Sequence, residues 1–305
     1  MRDLDVLVLG GVGIDTIVRV PTLSVPPGDF LPVAPIHDYV AHSGNGVALG
    51  FHALGLRTLL ADFLGDDPMG ELVLRRYAAV GLDFTHLPAP GGTPRAVNLV
   101  DAQGRRFSFF DGRHPHGLAL PPEFYLPLLE RTRHVHIAAT HAVGAFAEAR
   151  RLGVTASADI HAWDGENPWA LPFLRDADLV FFSAQAAPDR VDEIMRRVLE
   201  LGRARVVVAT EGAAGSRVLT REQPQVRRFP VAAPQRPVVD SNGAGDAFST
   251  AFMSRWLAGD PVEECMRAGA VSGAYACGAA GTHEDLITAA ALDTAIAGTR
   301  AGAAA

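Results

Sequence analysis

The chain has 305 residues, of which 48% are hydrophobic and 20% charged, with a formal net charge of −7 at pH 7. This composition is typical of a soluble globular protein, and the acidic balance argues against nucleic-acid binding, which would need a basic surface. Every one of the 27 basic residues is an arginine. The absence of lysine excludes a Schiff-base nucleophile, a phosphate-loop lysine and the lysine of protein kinases.

The cysteine content and the N-terminal segment bear on the cellular compartment of the protein. The two cysteines, Cys265 and Cys277, fall in one predicted helix and indicate neither a disulfide framework nor a zinc site. The N-terminal apolar run is too short for a signal peptide or a membrane span. We therefore predict a cytoplasmic protein with no membrane partner.

The first third of the chain predicts strands, two helices and a hairpin. A buried strand over residues 6–9 ends in a glycine turn, and the proline-rich segment after it favours exposed strands at 16–20 and 35–40. The apolar runs 95–100 and 106–110 flank a turn at Gly104 and predict a hairpin, which together with 16–40 suggests a small antiparallel flap. The remaining elements predicted here are a helix at 44–54, a strand at 59–64 and a helix at 68–80.

From about residue 120 strands and helices alternate regularly. Strands are predicted at 134–139, 154–160, 178–183 and 204–210, and helices at 122–131, 143–152, 168–175 and 189–202. Such alternation calls for a parallel sheet with right-handed crossovers, so we predict the α/β class. A hairpin at 215–230 and helices at 245–258, 262–278 and 285–298 complete the chain.

The strongest functional signal is the run Asp240-Ser241-Asn242-Gly243-Ala244-Gly245-Asp246, between the strand-like 237–239 and a predicted helix. Glycines at a helix mouth let the backbone approach an anion, and the unpaired N–H groups and helix dipole favour a phosphate there. Asp246 is either a helix cap or a base for phosphoryl transfer. Asp240 and the turn-to-helix context favour the functional interpretation.

Three further clusters each give a weaker functional signal when taken alone. Residues 10–15 do not fit a dinucleotide fingerprint, because Thr16 replaces the third glycine and no helix follows; Asp15 is a turn former or a ligand for hydroxyls. His42-Ser43-Gly44-Asn45-Gly46 opens a helix, and residues 210–216 form a glycine-rich turn. We interpret His134 and His136 as structural. His141, Asp159 and His161, at strand ends, are weaker ligand candidates.

Taken in order, the four clusters resemble the signatures of the ribokinase-like, or PfkB, carbohydrate kinases. Residues 240–248 are similar to the family's D-T-x-G-A-G-D-x-F signature with Ser241 in place of threonine, residues 43–70 to its N-terminal signature and 210–215 to its T-x-G-x-x-G turn. The resemblance covers nearly the whole chain. It implies one domain over 1–305, a three-layer α/β/α sandwich with a mainly parallel central sheet, and a small β-sheet lid from about 16–40 and 92–113.

The resemblance also implies a reaction, the ATP-dependent phosphorylation of a sugar hydroxyl by in-line transfer. Asp246 would be the base, and the N–H groups of Gly243, Ala244 and Gly245 would stabilise the transferring charge. The substrate-binding residues implied are Asp15, Gly44, Asn45 and Asp246, with Asn98 and Phe109 placed by position only. The nucleotide-binding residues implied are Thr210, Gly212, Gly215, Gly243, Gly245, Gly269 and Gly273. Mg²⁺ would accompany ATP, a monovalent cation is a further candidate, no side chain is assigned as a metal ligand, and two copies would pair through the lid.

Departures from the family pattern leave alternatives open. When the chain is aligned with the family signature at Leu54-Gly55, Asn45 falls one position before the usual substrate asparagine. Ser183-Ala184-Gln185-Ala186 stands where an N-x-x-E motif is usual. Loss of that motif leaves a catalytically impaired sugar or nucleotide sensor as one alternative. Phe107, Phe109 and Phe110 are aromatic residues that would stack on a base in a nucleoside kinase, the other alternative. In the absence of lysine, Arg106 and Arg113 are the candidates for a charge near the phosphate.

Overall fold

The computed structural model describes residues 2–25 and 27–303, without the side chains of 299–303. The strands are β1 (Leu4–Leu9), β2 (Gly13–Arg19), β3 (His37–Ala41), β4 (Thr58–Leu64), β5 (Asp83–Pro88), β6 (Arg95–Val100), β7 (Arg106–Asp111), β8 (Thr132–Ile137), β9 (Thr155–Asp159), β10 (Leu179–Ser183), β11 (Val206–Thr210), β12 (Ser216–Thr220) and β13 (Arg227–Phe229). The helices are α1 (Ser43–Ala53), α2 (Pro68–Val80), α3 (Pro122–Glu130), α4 (Ala145–Arg151), α5 (Leu171–Asp176), α6 (Val191–Leu201), α7 (Ala244–Ala258), α8 (Val262–Ala276) and α9 (Ala289–Ala303).

The larger sheet has nine strands in the order β13-β12-β11-β10-β9-β8-β1-β4-β5. It is parallel from β11 to β5, and β12 and β13 join antiparallel. The alternation along β1 shows why helices cover both faces: Leu7 and Leu9 enter the core shared with α3 to α6, whereas Val6 and Val8 enter the core shared with α1, α2, α7 and α8. These layers form the predicted α/β/α sandwich.

The smaller sheet has the order β3-β2-β6-β7. Its β2–β3 and β6–β7 pairs are antiparallel, as predicted, but β2 and β6 pair in parallel. The prediction of a wholly antiparallel flap was therefore wrong at one pairing. The chain between β2 and β6 passes through α1, β4, α2 and β5, a connection long enough for a parallel crossover.

Two local predictions also differ from the structure. The edge strand β5 was not predicted, and its half-exposed sequence DFTHLP gives little apolar pattern to detect. Residues 237–239 form no strand; instead the Val239 N–H donates to the Cys277 carbonyl oxygen at 2.8 Å. Within the described ranges, no helix is long and apolar enough to cross a membrane.

Candidate active site

The candidate site lies where the carboxyl ends of the central strands meet the N-terminus of α7, the usual ligand position in open α/β sheets. Gly243 caps α7 in the left-handed region, with φ 74°. A Cβ there would lie 2.0 Å from the Thr282 carbonyl oxygen, so the turn requires glycine. The first-turn N–H groups of a helix have no intrahelical acceptors, so the Gly245 N–H suits a phosphate, whereas the Ala244 N–H makes a long contact of 3.3 Å with the Ser241 carbonyl oxygen.

Asp246 lies in this first turn with its side chain 18% exposed, beside the buried ring of His283. The Nε2 of His283 is 2.9 Å from Oδ2 of Asp246. A carboxylate held in this way at an anion-binding helix mouth can accept the proton of an incoming hydroxyl. Sequence reasoning missed His283, because it lies 37 positions away in an irregular segment that carries no local signal.

Asn45 lies directly behind His283 and is fully buried. Its Nδ2 donates to the Val40 carbonyl oxygen and reaches His283 Nδ1, both at 3.0 Å, and its Oδ1 accepts from the Tyr77 hydroxyl at 3.0 Å. The structure therefore engages the Asn45 amide in the protein rather than presenting it to a ligand. The neighbouring Gly44 is equally enclosed, since a Cβ there would lie 1.8 Å from the Gly10 carbonyl oxygen.

Asp15 and His42 form a second polar wall. The His42 Nε2 lies 3.5 Å from Asp15 Oδ1, and within the described part of the chain this buried nitrogen has no hydrogen-bond partner. Burial lowers the pKa of His42, which favours the neutral ring. His42 has φ 72°, a strained backbone for a residue other than glycine. The Asp15 carboxylate and the His42 ring thus form a largely buried polar pair.

The smaller sheet separates two predicted substrate contacts. Asn98 is 3% exposed, accepts a hydrogen bond from Ser108 and lies on the face that carries Asp15. Phe109 pairs with Val97 on the opposite face and is 58% exposed. The structure therefore does not bring Phe109 to the site. Because side chains alternate along a strand, the next residue, Phe110, is the one whose ring lies 5.5 Å from that of His42.

Two arginines connect the smaller sheet to the loop before α7. Arg19 donates to Asp240 Oδ2 at 2.6 Å, and Arg106 donates to Asn242 Oδ1 at 2.6 Å. Asp240 also accepts from the Asn242 N–H at 3.0 Å, so its carboxylate braces the loop. The other arginine candidate, Arg113, pairs with the exposed Asp111.

A group of imidazoles and carboxylates lines the remaining strand ends. Ligand atoms of Asp62, His114 and His141 all lie within 4.8 Å of one another, and His141 Nε2 is 2.7 Å from Asp62 Oδ1. The N–H groups of Val12 and Phe63 also donate to Asp62, so this carboxylate is well satisfied.

Further titratable side chains lie on β8 and at the end of β9. Burial raises the pKa of Asp159, which accepts from the His161 N–H at 2.7 Å. His134 and His136 are fully buried and contact Ser157 Oγ at 2.8 and 2.9 Å. Burial also lowers the pKa of His134 to about 3, so its ring is neutral.

The other residues predicted to bind the nucleotide lie on β11, on the turn after it and on α8. Thr210 ends β11, and the turn after it uses positive φ at Gly212 and Gly215. A Cβ at Gly215 would lie 2.2 Å from the Phe229 carbonyl oxygen. In α8, a Cβ at Gly269 would lie 2.8 Å from the Phe248 ring, and one at Gly273 would lie 3.1 Å from the Ala244 carbonyl oxygen. These two glycines let α8 pack closely on α7.

The chain is similar to characterised carbohydrate kinases. The model for pfkB family carbohydrate kinases matches residues 169–289. The acarbose 7(IV)-phosphotransferase of an Actinoplanes species is 48% identical over 290 residues, covering 94% of this chain and 97% of that protein. The solved structure of a microbiome-derived acarbose kinase has a TM-score of 0.88 and 42% identity, covering 96% of this chain and 99% of that one.

A ribokinase from Thermotoga maritima shares the fold at a TM-score of 0.77 and 19% identity, covering 96% of this chain and 99% of that one. These likenesses confirm the resemblance predicted from the four motifs, and with it the ribokinase-like α/β fold.

Proposed function

Because this chain belongs to the pfkB family of carbohydrate kinases, we propose that its acceptor is acarbose or a closely related sugar. The predicted enzyme class, a kinase that transfers phosphate from ATP to a sugar hydroxyl, is confirmed by the family. The finer assignment of the acceptor draws on the 48% and 42% identity to two proteins named for acarbose.

The observation that carries the proposal is the placement of Asp246. Its partly exposed carboxylate stands in the first turn of α7, at the glycine mouth where a phosphate would bind. In the proposed reaction, an acceptor hydroxyl loses its proton to Asp246 while its oxygen bonds to the γ-phosphorus of ATP and ADP leaves. The N–H groups of Gly243, Ala244 and Gly245 stabilise the charge on the transferring group. Asp15 and His42 bind other hydroxyls of the acceptor.

The nucleotide is proposed to lie along Thr210, Gly212 and Gly215, with its phosphates at Gly243 and Gly245 and its base near Gly269 and Gly273. Mg²⁺ usually keeps several waters and binds chiefly through the phosphates of its nucleotide. We propose that Mg²⁺ enters with ATP and supplies charge neutralisation that Arg side chains do not. A requirement for a monovalent cation stays a prediction.

The test is an acceptor panel containing acarbose, maltose, ribose, fructose and adenosine, with ADP release measured at saturating Mg–ATP. We expect kcat/KM for acarbose to exceed that for ribose and adenosine by at least about 10²-fold. A site whose polar groups bind one set of hydroxyls discriminates against acceptors that leave those polar groups unpaired. Preferred turnover of adenosine would favour the nucleoside-kinase alternative. Preferred turnover of ribose would contradict the acarbose assignment.

We also propose that two copies pair through the outer face of the smaller sheet. Val97, Phe107 and Phe109 are exposed together on that face, and clustered exposed aromatic residues are typical of interfaces. We expect Phe109→Asp to convert a dimer to a monomer in sedimentation. A wild-type protein that is monomeric at micromolar concentration would contradict this proposal.

A further inference from the structure

A continuous chain of hydrogen bonds leads from α2 to the proposed base. The Tyr77 hydroxyl contacts Asn45 Oδ1 at 3.0 Å, Asn45 Nδ2 contacts His283 Nδ1 at 3.0 Å, and His283 Nε2 contacts Asp246 Oδ2 at 2.9 Å. Tyr77, Asn45 and His283 are 2%, 0% and 3% exposed, so water does not compete for these bonds. Of these four side chains, that of Asp246 is the partly exposed one, at 18%.

The donors and acceptors along this chain can be assigned from geometry. The Val40 carbonyl oxygen can only accept, and it lies 3.0 Å from one terminus of the Asn45 amide, which must therefore be the NH₂ group. The second hydrogen of that NH₂ points to His283 Nδ1, so Nδ1 must be the lone-pair nitrogen. The proton of the neutral imidazole is then on Nε2, where it is donated to Asp246.

Tyr77 and two glycines hold this arrangement in place. Burial raises the pKa of Tyr77 well above its usual value, so its hydroxyl stays protonated and donates to Asn45 Oδ1. The His283 ring lies between α1 and the mouth of α7: a Cβ at Gly46 would lie 2.2 Å from its Nε2, and a Cβ at Gly243 would lie 2.7 Å from its Cδ2. The ring therefore has little freedom to rotate.

We propose that His283 is a positioning residue that holds Asp246 through a neutral Nε2–H donor, so that Asp246 Oδ1 is the oxygen that faces the acceptor hydroxyl. This inference rests on the proposed function. In the transfer step the hydroxyl proton passes to Asp246 Oδ1 as the new O–P bond forms and the bond from the γ-phosphorus to ADP breaks. His283 takes no proton, because its one lone pair is engaged by Asn45.

Two substitutions separate positioning from space filling. His283→Leu fills the same space but donates nothing, whereas the amide nitrogen of His283→Gln can take the place of Nε2 and donate to Asp246. We expect His283→Leu to lower kcat by roughly 10²-fold, the scale on which small misplacements act, with KM for ATP changed by less than about threefold. We expect His283→Gln to recover most of that loss. Equal losses in both variants would overturn the proposal, and so would a His283→Leu variant with the wild-type kcat.

The matched control is His134→Gln, which removes another fully buried histidine that contacts Thr155 and Ser157 and lies outside the proposed machinery. It should lower the melting temperature and leave kcat unchanged. If kcat falls as far as in His283→Leu, the loss reflects a generally weakened fold, and the proposal fails.

A measurement on the wild type without substrate keeps the inference separate from the proposed function. Long-range ¹⁵N–¹H NMR correlation on ¹⁵N-histidine-labelled protein distinguishes protonated from unprotonated ring nitrogens. We expect His283 to be protonated at Nε2 alone, with the signal assigned by its loss in His283→Gln. A proton at Nδ1 would overturn the inference whatever the activity. A wild type that phosphorylates no acceptor would instead overturn the proposed function.

Discussion

The two ends of the candidate site are built differently. At the proposed acceptor end, Asp246 is held by His283, Asn45 and Tyr77, which come from three separate segments of the chain. At the proposed donor end, where ATP would lie, the turn after β11 relies on the backbone freedom of Gly212 and Gly215. The reacting hydroxyl of the acceptor must lose its proton, so the protein must supply the base in a fixed position. ATP brings its own charge and its own cation, so its end of the site needs fewer protein side chains.

The chain departs from the family motifs more at the Ser183–Ala186 segment than in the loop before α7, where Ser241 replaces threonine. Ser183 and Ala186 supply neither the amide nor the carboxylate that the N-x-x-E motif would place at these two positions, and Ser183 Oγ accepts the Gln185 N–H at 3.3 Å. By contrast, the loop before α7 and its first turn keep the glycine mouth and the Asp246 carboxylate.

The largest effect is expected from Asp246→Asn, which removes the proposed base and keeps the size of the side chain. We expect kcat to fall by about 10²–10⁴-fold, the usual contribution of a general base. The KM for ATP should change little, because the backbone of the helix mouth is unchanged. Calorimetry of ATP binding to the variant is the control. A variant that keeps the full rate would contradict the role of Asp246 as the base, and with it the proposed acceptor end of the site.

An intermediate effect is expected from Arg106→Gln, which weakens the contact between the smaller sheet and Asn242. A hydrogen bond to a charged group contributes about 1.5–3 kcal/mol, so we expect KM for the acceptor to rise by about tenfold or more. The matched control is Arg105→Gln in the turn just before β7, because Arg105 pairs with Asp101 rather than with the loop before α7. Equal KM values in the two variants would show that the smaller sheet does not cover the acceptor.

The sequence predicts the fold and the helix mouth better than it predicts the side-chain contacts around Asp246. Regular strand–helix alternation is enough to predict a parallel sheet, and glycines at 243 and 245 predict a helix mouth, since these signals are local. The contact of His283 with Asp246 is not local and depends on the path of an irregular segment. Choosing Phe110 over Phe109 requires the face of each strand residue, which only the pairing with β6 establishes.

The smallest effect is expected from restoring the missing motif with the double substitution Ser183→Asn and Ala186→Glu. Mg²⁺ binds mainly through phosphates and water, so an added carboxylate at this exposed position should change the Mg²⁺ concentration for half-maximal rate by no more than about threefold. The kcat at saturating Mg²⁺ should stay the same. Gln185→Glu adds the same charge at a neighbouring exposed position and is the matched control. A rise of more than about tenfold in the saturated kcat of the double variant would mean that stabilisation of the transition-state charge at the donor end limits the rate. ATP and Mg²⁺ would then not supply the stabilisation that the missing motif provides.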